Sequence, residues 1–230
     1  MKRVISFLNA LHENNNRPWF EDHKNEFKEA QAIFNDFTEK LIAGISTFDP
    51  TINNLTVKDC TYRIYRDIRF TNDKTPYKSH MGAFVSPKGK SSGFSGYYFH
   101  IEAKGAEYIG GHMLSTGIYC PDPKAVKSIR EEIMLNGKQF EEAINIAKGF
   151  KLDSSSSLKR IPAGFPSDSE YAEYFKLKDF FLTKFLDDAF LTNEKLVENT
   201  VREYKKTLAF NNLLNRAATY AYDGSGFDTK

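Results

Sequence analysis

Residues 81 to 113 hold three stretches of β-type sequence, joined by connections too short to contain a helix. Parallel strands need a crossover of a dozen or more residues, so these stretches are restricted to antiparallel pairing. The clearest lies at residues 94–103, where Tyr97, Phe99 and Ile101 share one face and Tyr98, His100 and Glu102 share the other. A shorter strand at residues 81–86 precedes it, across the turn formers of residues 87–93. A third strand is expected from Tyr108 towards Met113, with Gly110-Gly111 marking a bulge or a close backbone approach. Residues 57–66 also read as a strand, with Tyr62 and Ile64 on one face and Thr61, Arg63 and Tyr65 on the other.

Helical rhythm surrounds this block. Val4, Phe7, Leu8 and Leu11 recur at helical spacing, Asn14-Asn15-Asn16 breaks the run, and Pro18 suits the first turn of a new helix. Phe27, Ala30, Phe34, Phe37 and Leu41 then predict a long amphipathic helix to about Ile45. Asp122-Pro123 opens a second helical region. Its first helix carries Val126, Ile129 and Ile133 and is stopped by Asn136-Gly137; the next carries Phe140, Ile144 and Ala147. Shorter helices are expected at residues 171–177 and 180–190, and Asn193 is expected to cap a long last helix. The predicted fold is α+β: one domain over residues 1–222, a central antiparallel sheet within residues 57–113, and helices from both chain ends packed on it. Residues 223–230 read as a frayed tail.

A chain of 230 residues buries roughly 70–75% of its unfolded surface and needs no disulfide staple. Cys60 and Cys120 fit no metal-ligand spacing and are too few for a disulfide framework, so both are expected reduced, in the cytoplasm. Residues 1–11 lack a signal-length apolar core, and no apolar run approaches the ~20 residues of a membrane span. Of the aromatics, 20 Phe and 12 Tyr stand beside a single Trp, and most of the Phe must be core.

Charge is concentrated in residues 62–80. Arg63, Arg66, Arg69, Lys74 and Lys78 stand there against Asp67 and Asp73 alone, a local excess of +3 in a chain of net charge +2. That balance argues against a general nucleic-acid coat but leaves room for a local patch. Tyr62, Tyr65, Phe70 and Tyr77 are interleaved with the charges, so the segment is no simple solvated tail. Fixed cations in a half-buried segment need anions. These come either from a bound ligand or from internal carboxylates, with Asp67, Asp73, Glu21 and Asp22 forming an ion-pair lattice. In the first case the arginine forks suit carboxylate or phosphate, Lys74 and Lys78 add point charges, and Tyr65 and Tyr77 orient or stack on a ligand ring. Arg63, Arg66 and Arg69 repeat every three residues, so a break near Asp67 is required before they converge. The clustered glycines of a phosphate-binding loop are missing.

The run Arg63-Ile64-Tyr65-Arg66-Asp67-Ile68-Arg69-Phe70, followed by Asp73-Lys74-Thr75-Pro76-Tyr77-Lys78, resembles the signature of the family catalogued as domain of unknown function 2461. Asn14 to Phe20 with His23-Lys24, Tyr97 to Glu102, Gly110-Gly111, and Lys159-Arg160-Ile161-Pro162 with Gly164-Phe165 resemble its other motifs, over nearly the whole chain. The resemblance implies no activity, cofactor or catalytic residue.

A second constellation is His100 and Glu102, which share a strand face, with His112 on the next strand. Two histidines and a carboxylate are one ligand set for non-haem iron, the lesser alternative here. The stronger reading makes them a polar wall facing the arginines, with His100 and Glu102 as acid or base. Three functional classes follow: a binding protein or enzyme for a small anionic ligand, a nucleic-acid module stacking bases on tyrosine, or an interaction domain meeting an acidic partner. The cofactor is left open, and no membrane partner is expected.

Overall fold

The two-residue alternation along residues 96–102 sorts that strand into an apolar and a polar face, and the rest of the molecule is arranged about the division. The computed structural model describes residues 1–223. Helices α1 (Lys2–Glu13), α2 (Arg17–Asp22), α3 (Lys24–Ser46) and α4 (Val57–Cys60) precede strands β1 (His80–Val85), β2 (Gly96–Glu102) and β3 (His112–Ile118). Helix α5 (Pro123–Ile146) leads to strands β4 (Lys151–Leu152) and β5 (Phe180–Leu186), and then to helices α6 (Asp188–Leu191), α7 (Leu196–Lys205) and α8 (Leu208–Tyr222). The fold is α+β, with all pairings antiparallel in the order β1-β2-β3-β5-β4. The tail expected to fray lies, beyond Asp223, outside the described residues.

One apolar cluster joins the helices to one face of the sheet. Phe99 is its centre on β2, fully buried, 4.5 Å from the Phe37 ring and 6.2 Å from that of Phe34 on α3. Tyr97 packs on Tyr204 of α7 at 5.2 Å and donates its hydroxyl to buried Asp49 at 2.8 Å. Thr116 of β3 donates to Asn211 of α8 at 2.9 Å. The opposite face, carrying residues 80, 82 and 84, 98, 113, 115 and 117, and 181, 183 and 185, has no helix packed on it among the described residues and forms the floor of a cleft. No helix among the described residues is long and apolar enough to cross a membrane. Both cysteines are free; Cys60 is buried, and its thiol is pushed up to about 12, chiefly by burial.

Four sequence expectations are corrected. Residues 57–66 are not a strand. The Asp59 carboxylate accepts both the N–H (2.8 Å) and the hydroxyl (2.7 Å) of Thr56, which starts the short helix α4, and only single bridges at Thr61 and Tyr65 follow. Residues 180–186, expected helical, are β5; Phe180 and Leu182 stand on its core face and Phe181 and Phe185 on its cleft face, so apolar residues occupy both faces and polar alternation is lost. The third strand starts at His112, because Glu102 draws the preceding loop onto itself: Ile109 N–H and Gly110 N–H donate to its carboxylate at 3.1 and 2.9 Å. At Asn136 the chain kinks (φ −130°, ψ 34°) instead of stopping, and α5 continues to Ile146. Gly137 is required there, since a Cβ would fall 2.2 Å from the Tyr171 ring.

Candidate functional site

The segment carrying the charge excess is an excursion closed at its neck. Tyr65 pairs with Tyr77 across a single bridge, where Arg66 N–H donates to Pro76 O at 2.9 Å and Lys78 N–H to Ile64 O at 2.8 Å. The asparagine run near the start of the chain holds this neck in place. Asn15 donates to Tyr77 O at 2.9 Å and accepts from Tyr77 N–H at 3.1 Å, acting as a substitute strand, while Asn16 caps α2 at Trp19 N–H, 3.0 Å. Phe20 of α2 stacks on Tyr77 at 3.9 Å and meets the edge of Tyr65 at 6.0 Å. Tyr77 is therefore a core residue, and half-exposed Tyr65 covers it from outside.

The five cations of the segment divide. Arg66 pairs with Asp73 and donates to Thr75, and Asp73 also accepts Thr75 N–H at 2.9 Å. These contacts, led by the Thr75 N–H and followed by Arg66, hold the exposed Asp73 carboxyl down at about 2. Arg69 grips Asp67 with both arms of its fork, at 2.9 and 2.7 Å, and Lys74 donates to Ile68 O at 3.0 Å. These three residues tie the loop to itself. Glu21, expected to share in such a lattice, pairs instead with Lys24 at 2.8 Å.

Arg63 and Lys78 behave differently: both line the cleft over the open face of the sheet. The cleft has a volume of about 740 Å³, within the usual range for small-molecule sites. Lys90, from the β1–β2 connection, joins them on the same wall. Lys78 and Lys90 place their ammonium groups 5.8 and 5.9 Å from the Tyr62 ring centre, and Lys90 also donates to Lys58 O at 2.6 Å. Among the described residues none of the three cations forms an ion pair. Burial, and then the neighbouring Arg63 charge, lower the Lys78 pKa from its ordinary value. Asp153, on the β4 side, is the one carboxylate in the lining.

The rest of the lining is aromatic. Phe84, Tyr98, Phe181 and Phe185 stand on the strands, and Tyr62, Tyr108 and Tyr119 on the rim. His80 at the start of β1 lies under Tyr108, stacked at 4.1 Å, with no protein hydrogen bond to its ring among the described residues. Burial, then His100, Lys78 and Arg66, push the His80 pKa down to about 3, so this imidazole is neutral. The sequence reading named Tyr62, Tyr98 and Tyr108 by position but placed none of them, nor His80 or Lys90, among the site residues. The alternation along β1 and β2 was the available signal, because it places Tyr98 and His80 on the face of His100.

His100 and Glu102 share that face but lie beneath the floor rather than forming a wall; both are buried. His100 Nε2 faces Glu102 Oε2 at 2.9 Å, and Nδ1 faces the Tyr98 hydroxyl at 2.9 Å. His112 is turned away from the pair. Its Nδ1 accepts Glu102 N–H at 3.2 Å and its Nε2 meets Asp188 at 3.1 Å, so the three residues do not surround one centre. No group of three or more His, Cys, Asp or Glu able to hold a metal occurs among the described residues.

A family model described as conserved hypothetical protein (DUF2461) matches residues 3–212. No curated protein and no solved structure matches the chain.

Proposed function

Because the chain belongs to the DUF2461 family of conserved hypothetical proteins, whose description names no reaction, we propose from geometry that it binds a small, ring-bearing anion in the cleft above the sheet. One observation carries this reading: Arg63, Lys78 and Lys90 line an aromatic cavity of about 740 Å³ without an ion-pair partner among the described residues. Lys78 is half-buried beside the Arg63 charge, and a bound phosphate or carboxylate relieves that cost. The ring faces of Phe84, Phe181 and Tyr62 supply the apolar part of the site, and the neutral His80 supplies a hydrogen bond that costs no charge. The two free cysteines suit a reducing, cytoplasmic setting.

Phenyl phosphate and inorganic phosphate are the probes. In calorimetric titration both should bind, phenyl phosphate about two- to tenfold more tightly, the worth of one added aromatic contact. Raising salt should weaken binding only modestly, as for an enclosed site. Absence of binding by either compound at millimolar concentration overturns the reading. So does preferential binding of a single-stranded oligonucleotide with a steep salt dependence, which would mark the aromatic rim as a base-stacking platform.

A further inference from the structure

The buried pair under the cleft floor has an order that the anion-binding reading does not use. Two backbone N–H groups, those of Ile109 and Gly110, donate to the Glu102 carboxylate at 3.1 and 2.9 Å, and His100 Nε2 faces the same carboxylate at 2.9 Å. The carboxylate is thus an acceptor throughout, and the His100 nitrogen facing it, Nε2, carries the proton. A neutral imidazole protonated at Nε2 has a bare Nδ1. Its partner at 2.9 Å is the Tyr98 hydroxyl, which must therefore donate. With its hydrogen turned inward to His100, the Tyr98 oxygen has lone pairs free, and Tyr98 is part of the cleft lining.

We propose that Glu102, His100 and Tyr98 form a proton relay that ends at the cleft, with Tyr98 the residue that takes a proton from the bound anion. The proposal rests on the cleft being a ligand site and assigns the protein a reaction type, proton abstraction from a ring-bearing acid anion. In that step an O–H or C–H bond of the ligand breaks and its proton goes to the Tyr98 oxygen. The proton Tyr98 held passes to His100 Nδ1, and the electron pair of the broken bond stays on the ligand beside Arg63 and Lys78. The imidazolium so formed faces Glu102, and return of both protons resets the chain. No oxidant, reductant or further reactant is consumed. The arrangement follows the logic of a hydroxyl–imidazole–carboxylate triad, with a phenol in place of the hydroxyl.

Two features support this order. Burial holds the Tyr98 phenol above its usual pKa and, against the opposing pull of Glu102, holds His100 below its own, so both start in the neutral state the relay needs. Gly82, the cross-strand partner of His100, leaves the space in which the phenol lies: a Cβ there would sit 2.6 Å from the Tyr98 oxygen. The other titratable groups facing the pair are His80 from β1, Tyr62 from the segment before it, and Tyr108 and His112 beyond β2. Tyr98 is the group placed to touch the ligand; His100 and Glu102 are positioning residues that act through it.

The test uses an aryl sulfonyl fluoride, which reacts with a phenol as the S–O bond forms, the S–F bond breaks and the phenolic proton leaves to a base. Labelling of Tyr98, followed by mass spectrometry of the intact chain and its peptides, should fall about a hundredfold in His100→Gln. It should fall similarly in Gly82→Ala, which disturbs the phenol and leaves His100 and Glu102 in place. Labelling of exposed Tyr119 should be unchanged in both. A Tyr98 rate within twofold of the native one in either folded variant overturns the relay. Nitrogen-15 spectra of the native protein need no variant: they should show His100 neutral and protonated at Nε2, and protonation at Nδ1 overturns the proposal. Protection of Tyr98 by phenyl phosphate tests the ligand site separately. If labelling depends on His100 but phenyl phosphate neither binds nor protects, the ligand-site reading fails and the step as proposed fails with it, the relay geometry alone surviving. If phenyl phosphate binds but labelling ignores His100, the relay fails and the ligand site stands.

Discussion

Replacing Arg63 by alanine should weaken phenyl phosphate binding by roughly ten- to a hundredfold, whereas replacing Arg69 should leave it unchanged. The two residues are six positions apart in the same charged segment, so sequence composition alone does not separate them. Their surroundings do. Arg69 has both arms of its fork on Asp67 at 2.9 and 2.7 Å in an exposed loop, and it is not part of the cleft lining. Arg63 lines the cleft with no carboxylate partner among the described residues. A charge-assisted hydrogen bond contributes about 1.5–3 kcal/mol, which gives the stated range. Arg63→Lys keeps the charge and loses the fork, so it should recover only part of the loss. Titration calorimetry on the three variants checks this, and equal losses in the Arg63 and Arg69 variants would show that binding follows net charge rather than the cleft.

Phe99→Ala should lower the stability of the fold by about 3–5 kcal/mol, a large share of the ~5–15 kcal/mol that holds a typical domain together. Phe99 is fully buried where β2 meets α3, and its ring touches the helix at Phe37, so the neighbouring backbone cannot readily collapse into the space it would leave. Urea unfolding measures the loss, with a lowered midpoint and an unchanged slope marking a true stability effect. The Cys60 thiol offers a second reading. It is buried, so its reaction with a thiol reagent should be gated by unfolding and should accelerate in the variant, while exposed Cys120 reacts at the same rate in both proteins. A loss below 1 kcal/mol would show that α3 can move onto the sheet.

Most of the fold was legible wherever an element carries apolar residues on its core face and polar residues on the other. The 97–99–101 alternation and the Phe27 to Leu41 rhythm are of that kind, and β2 and α3 lie where these patterns placed them. Legibility failed where both faces carry apolar residues or where a local contact overrides pattern. Strand β5 has core on one side and cleft on the other, so its apolar residues do not alternate with polar ones. At residues 56–59 the Thr56–Asp59 contact selects a helical turn over a β-rich composition. The charged segment was legible as a unit, but not its division. Which arginine finds a carboxylate depends on the excursion between Tyr65 and Tyr77 folding Asp73 back to Arg66, and no spacing rule encodes that path. His100 and Glu102 were correctly placed on one face, yet their depth beneath the floor depends on loop 103–111 closing over them through the Glu102 carboxylate.

The double hydrogen bond between Asn15 and the backbone of Tyr77 spans 62 positions of sequence and lies one residue from Lys78. It makes the opening of the chain and the basic wall a single mechanical unit. The residues after the first helix cannot lift away without breaking both hydrogen bonds to the neck of the charged excursion. On the proposed reading of the cleft, a ligand held against Lys78 should therefore favour docking of the first sixteen residues. Amide exchange of residues 1–16 should then slow when phenyl phosphate is bound.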